Sequence, residues 1–167
     1  MTGPTRRVIT GHAPDGRSIV LNDGPVPHRR EVPGARFDEV WASSPAPAVL
    51  TASLPDEPTS GADRLGPQGG GSAIRVIDFA PAAEGGVISP MHRTQTLDYG
   101  IVIEGEVVLV LSDSEVVLRK GDVAVQRGTD HAWENRSGRW AKMAFVLLDA
   151  RFDPALAQLI GEQDILP

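Results

Sequence analysis

The chain has 167 residues and a net charge of −6 at pH 7, with 41% hydrophobic and 23% charged residues. That length suits one domain with a buried core, and the acidic balance argues against nucleic acid or an anionic membrane as the main partner. No apolar run reaches the ~18 residues of a membrane-spanning helix, and the lack of any cysteine excludes disulfides, thiolate metal sites and cysteine nucleophiles. The opening MTGPTRRVITGHAPDG has no apolar stretch of a secretory kind, so a cytoplasmic setting is expected.

Glycine (18) and proline (14) are spread along the chain and helical periodicity is scarce, which predicts an all-β protein with many turns. Arg6–Thr10 and Arg17–Asn22 flank the turn-rich GHAPDG and read as a hairpin. Arg36–Ala42 is a third strand. Ser43–Gly71 is rich in Pro, Gly, Ser and Asp, so it reads as irregular. Its Gly69–Gly71 run has no lysine behind it and reads as a flexible connection, not a phosphate cradle. Strands then follow at short intervals: Ala73–Phe79, Leu97–Ile103, Glu106–Leu111, Glu115–Arg119, Asp122–Gln126, His131–Glu134 and Trp140–Leu148. Such spacing predicts a sandwich or barrel. DPALAQLIGEQ is the one helix, with Asp153 as cap, Pro154 at its first position and Gly161 after it.

Within SPMHRTQTLDYGIVIEGE (Ser89–Glu106) polar residues occupy every second position. Read as one strand, this sends His92, Thr94, Thr96, Asp98, Gly100 and Val102 to one face, and Arg93, Leu97, Tyr99, Ile101 and Ile103 to the other. Four polar groups on an inward face are costly to leave unpaired in a dry core, which favours a wet or ligand-filled cavity. The opposite face is apolar enough to need a cover, either the N-terminal strands or a second subunit.

These residues carry a resemblance to the cupin superfamily. Gly86, His92, Thr94, Asp98 and Gly105 match the spacing of its first motif, with Thr94 where the second histidine stands and Asp98 where the glutamate stands. Gly121, Gly128, His131 and Asn135 match the second, with one residue fewer after Gly121 and Gln126 in place of the usual proline. The resemblance implies a jelly-roll barrel over residues 73–150. Residues 1–72 would add N-terminal strands and the irregular segment, packed on the barrel or on a partner subunit. Residues 151–167 would form the C-terminal helix and tail of the same single domain. HRTQTLDYGIVIEGE with VQRGTDHAWEN is similar to one subgroup of small cupins, some of which accompany secondary-metabolite pathways.

The resemblance also implies a ligand held between two sheets, with His92, Asp98 and His131 as the chemical residues. Thr94, Thr96, Trp133, Met143 and Phe145 would line the substrate pocket. Two histidines and one carboxylate can hold a divalent ion such as zinc, iron(II) or manganese(II). The same three residues also suit metal-free acid–base catalysis, with Asp98 orienting an imidazole. Arg75 and Arg127 are candidates for holding a carboxylate, or are ordinary structural arginines. Tyr99 and Lys142 should lie outside the pocket, and His12 and His28 on the surface. A hydrolase triad is rejected, because the threonines share the histidine's own strand and no serine elbow exists. The expected function is a small-molecule enzyme, a dehydratase, decarboxylase or isomerase acting on an oxygenated, polyketide-like metabolite. A metal-dependent dioxygenase and a non-catalytic binding cupin remain open alternatives, and a homodimer is expected.

Overall fold

The computed structural model describes residues 3–44, 46–60, 66–67, 69–84, 86 and 89–161. Parts of the expected irregular segment (45, 61–65 and 68), residues 85, 87 and 88 before the first motif histidine, and the tail 162–167 lie outside the described residues. Among the described residues no helix is long and apolar enough to cross a membrane.

The chain opens with the expected hairpin, β1 (Arg6–His12) and β2 (Ser18–Pro25), which forms its own two-stranded sheet. Pro14 and Asp15 occupy the turn between them, and Gly16 supplies its left-handed residue at φ 84°. β3 (His28–Val32) was not among the expected strands. It is a sheet edge, where polar side chains on both faces meet solvent and discourage further pairing.

β4 (Ala35–Ser43), β5 (Ser72–Phe79), β6 (Thr96–Glu104), β9 (Val123–Arg127) and β11 (Ala141–Asp149) join β3 in a six-stranded sheet ordered β3-β4-β5-β11-β6-β9. β7 (Glu106–Val110), β8 (Glu115–Arg119) and β10 (Ala132–Glu134) form a three-stranded sheet ordered β10-β7-β8. Every pairing is antiparallel. Ile77, Val102, Met143 and Phe145 of the large sheet pack with Val107, Leu118 and Trp133 of the small one in a single core. Of the N-terminal strands, β3 and β4 therefore extend the large sheet beyond β5, while β1 and β2 stay apart from it.

α1 (Pro154–Ile160) starts and stops as its sequence dictates: Asp153 Oδ1 accepts from Ala155 N and Leu156 N, Pro154 opens the helix, and Gly161 follows at φ 66°. Asp38 ties the N-terminal hairpin to β4, accepting from Thr5 N and Thr5 Oγ1 at 2.7 Å each. Arg7 reaches Glu57 at 2.8 Å, anchoring the irregular segment, and Glu57 is held down to about 2 by Arg7.

One expectation needs correction. The polar row from His92 to Asp98 is not one strand, because β6 begins only at Thr96. His92 instead pairs with His131 in an isolated antiparallel bridge, its N–H donating to His131 O at 2.9 Å and its carbonyl oxygen accepting from His131 N–H at 2.9 Å. The chain bends at Gln95 and crosses from the small-sheet side, next to β10, into the large sheet. That crossing sets His92 against His131 while Asp98 stays on β6.

Candidate active site

A cavity of about 310 Å³ lies within the barrel, with His92, Thr94, Asp98, Gln126 and His131 as polar lining and Phe37, Ile77, Phe79, Trp133, Phe145 and Leu147 among its apolar walls. The two imidazoles are neighbours, with ring centroids 4.2 Å apart and planes tilted by 52°. Each is fixed by a backbone carbonyl: His92 Nδ1–H donates to Pro90 O at 2.8 Å and His131 Nδ1–H to Thr129 O at 2.9 Å. A carbonyl only accepts, so Nδ1 carries the proton and Nε2 is each ring's free acceptor. Trp133 meets His131 edge-on at 6.2 Å and Phe145 at 5.2 Å, which forms one aromatic wall.

Burial sets the charges here. His131 is 3% exposed, and desolvation lowers it from 6.5 to about 4, so it is neutral near pH 7. Asp98 is 6% exposed, and desolvation raises it above the usual carboxylate range, against the opposing pull of Thr96, Arg75, His92 and Thr94. The barrel thus presents, in one chamber also lined by Arg30 and Arg75, an imidazole held neutral and a carboxyl raised by burial, a pairing suited to proton transfer.

The depressed His131 makes a testable stability statement. The unfolded histidine takes up a proton near 6.5 and the folded one only near 4. Its contribution is therefore complete above pH 6.5 and lost as pH falls toward 4, by about 3 kcal/mol. Asp98, being raised, acts in the opposite direction as pH climbs past 3.8. Urea denaturation across this range is expected to show a flatter acid limb for His131→Gln than for the native chain; parallel curves would contradict the assignment.

Other residues are placed as follows. Thr96 is buried behind the wall, its Oγ1 hydrogen-bonded to Thr94 Oγ1 at 2.7 Å, and does not line the cavity. Met143, expected in the wall, is fully buried in the apolar core instead. It stands opposite Val102 in the β11–β6 ladder, where core side chains fill the interior; Phe145 and Leu147 further along β11 reach the cavity. Gly100 lies on the inward face of β6 and is buried. A Cβ there would lie 3.2 Å from Phe145 and 3.3 Å from Met143, so its role is to let those side chains pack close. Arg75 lines the cavity, buried, with Glu39 Oε2 3.4 Å from its Nε. Arg127, His12 and His28 are exposed, Tyr99 is half-buried outside the cavity, and Lys142 pairs with Asp78 at 2.6 Å. Gln126 was read only as a departure from the motif's proline. Its place opposite Asp98 in the β6–β9 ladder is the signal that finds it.

A larger recess of about 570 Å³ shares Arg75 with this cavity. Among the described residues that line it, Glu39 is the one carboxylate, facing Arg75, and none is a histidine.

The resemblance to cupins raises the question of a metal. Among the described residues no group of three His, Asp or Glu side chains stands close enough to hold an ion. Thr94, in the second histidine's place, offers a neutral hydroxyl already bonded to Thr96. The donor set as arranged does not fit a divalent ion.

Comparison with known proteins identifies the family. The family description "Cupin domain" matches residues 79–147, which include His92, Asp98, Gln126 and His131 of the cavity. The chain is 40% identical to "Phomopsin biosynthesis cluster protein C'" of Diaporthe leptostromiformis, over 93% of this chain and 84% of that protein. It is 39% identical to "Cupin-domain-containing oxidoreductase fogC" of Aspergillus ruber, over 86% of this chain and 71% of that protein. Among solved structures it is similar to KdgF from Halomonas sp., with a TM-score of 0.48 and 16% identity over 74% of this chain and 87% of that one. Paired sheets, the two spaced motifs and near full-length relatedness lead to one conclusion: the chain belongs to the cupin superfamily and is related to fungal cupins of secondary-metabolite clusters, several of them named oxidoreductases.

Proposed function

We propose that this protein is an acid–base enzyme of secondary metabolism that eliminates water from a small, polyketide-like β-hydroxy carbonyl compound. The observation that supports the reading best is the pair of fixed imidazoles, 4.2 Å apart, sharing a cavity with a buried carboxyl. The names of the relatives support the metabolic setting.

In this reading His92 is the base. It is half-buried, so it can carry a positive charge while keeping part of its hydration, whereas His131 is held neutral. His92 Nε2 takes the proton from the carbon next to the carbonyl, and the electron pair moves onto the carbonyl oxygen as an enolate. The pair then returns to form the carbon–carbon double bond, the β C–O bond breaks, and the departing hydroxyl takes the Asp98 proton to leave as water. Solvent restores the proton from His92 to Asp98, so the cycle consumes nothing. Decarboxylation of a β-keto acid or isomerisation would use the same enolate.

The test is incubation of purified protein with β-hydroxy ketones in deuterated water. Deuterium entering the α-carbon and loss of one water are expected. Tight retention of the compounds with neither event would make the protein a binding module. The oxidoreductase names favour a second reading, oxidation of a similar substrate by molecular oxygen. Oxygen consumption in place of water loss would establish that one.

We also propose a homodimer. Ile103, Val123 and Val125 leave an exposed apolar outer face on the large sheet, and Val8, Ile19 and Val20 do so on the hairpin. Light scattering should report twice the chain mass; a monomer mass in dilute solution would refute this.

A further inference from the structure

Asp98 and Gln126 are direct partners in the β6–β9 ladder, so their side chains leave the sheet side by side on one face. Both line the cavity, and they are 6% and 5% exposed. Asp98 Oδ1 and Gln126 Nε2 are buried polar atoms without a hydrogen-bond partner among the described residues, and they do not bond each other. Orphaned buried groups of this kind destabilise a fold, so two of them adjacent and facing a cavity point to a ligand that completes both. The amide hydrogen needs an acceptor. The carboxyl oxygen needs a group that can either donate or accept, which a hydroxyl does in both protonation states. A carbonyl and a hydroxyl on nearby carbons meet both needs at once.

We propose that Gln126 and Asp98 together recognise a β-hydroxy carbonyl compound, Gln126 Nε2 donating to its carbonyl oxygen and Asp98 Oδ1 facing its hydroxyl. Gln126 is thus the specificity-determining residue, placed to hold the oxygen on which enolate charge develops. The proposal rests on the reading of this cavity as the substrate site and names the substrate class for it. It also gives a role to the glutamine that stands where the motif usually has proline, since proline has no side-chain donor.

The experiment uses three probes of one shape that cannot lose water. The first is a phenyl ketone with a hydroxymethyl group on a fully methylated α-carbon, the second is pivalophenone, which lacks the hydroxyl, and the third is neopentylbenzene, which lacks both oxygens. Calorimetric titration should give three affinities, each step weaker by roughly ten-fold. Gln126→Met should erase the step between pivalophenone and neopentylbenzene while leaving hydrocarbon binding intact. Asp98→Leu should erase the step between the two ketones. Gln126→Met should also raise the Tm by about 2–4 °C, because it removes an unpaired donor from an apolar setting; a purely structural glutamine would lower it. Equal affinities for the three probes in the native chain, or an unchanged series in Gln126→Met, would overturn the proposal and leave the cavity reading standing. Failure of all three to bind would overturn both. The full affinity series without deuterium exchange would uphold the recognition and remove the elimination.

Discussion

His92→Ala is expected to lower turnover of a β-hydroxy ketone by roughly 10²–10⁴-fold, the range for losing a positioned general base. The variant should fold, since His92 is only half-buried and its ring makes one hydrogen bond, to Pro90 O. The backbone bridge to His131 involves no side-chain atom and survives the substitution. Removing the imidazole leaves His131 as the remaining ring at the site, and its burial opposes taking a proton. Asp98→Asn separates the two proton transfers. Asparagine can still donate a hydrogen bond but cannot give up a proton, so deuterium should still enter the α-carbon while water loss stops. Loss of less than ten-fold in His92→Ala would move the base role to His131. Loss of exchange together with elimination in Asp98→Asn would place Asp98 in the first step instead of the second.

Asp38→Ala is expected to cost about 3–5 kcal/mol of stability, the range for breaking a buried ion pair from one side. Asp38 is 1% exposed and accepts from Arg29 Nε at 2.6 Å, Arg29 Nη2 at 3.1 Å, and Thr5 N and Oγ1 at 2.7 Å each. Burial pushes this carboxyl up, but the hydrogen bonds from Arg29 and Thr5 outweigh it and hold it below 3.8. Its contribution is therefore present above that pH and disappears as pH falls through the lowered value. Alanine would leave Arg29 beside Asp78, 3.5 Å away and already paired with Lys142, and would detach Thr5 from β4. Phe37, the residue before Asp38, lines the cavity, so loosening β4 also disturbs the site. Chemical denaturation at neutral pH measures the loss; a change under 1 kcal/mol would mean the pair adds little to folding.

Much of the architecture was readable because it depends on local chemistry. The β1–β2 turn needs Pro14, Asp15 and Gly16 in that order, and α1 needs Asp153, Pro154 and Gly161, so short sequences mark both. Glu115–Arg119 falls where alternation and flanking turns put it. β3 escaped notice because an edge strand needs no apolar face, and HRREV has none. The polar row misled in a different way. Alternation places Thr94, Thr96 and Asp98 inward in both the expected strand and the observed fold, but it cannot tell a continuous strand from a chain that bends at Gln95 and changes sheets. Met143 alternates in step with Phe145 and Leu147, yet only the last two reach the cavity, because depth along a strand is invisible to a period of two.

By itself the sequence determined the all-β class, the cupin motifs and the inward turn of Thr94, Thr96 and Asp98, since each follows from spacing along one chain. Tertiary structure alone decided three things: that His92 meets His131 across a backbone bridge, that Gln126 stands beside Asp98, and that no three His, Asp or Glu side chains gather as a metal-ligand group among the described residues. Each of these depends on the register and crossing of strands far apart in sequence. Pairwise distance and burial then fix hydrogen bonding and charge, and neither quantity exists until the sheets have closed.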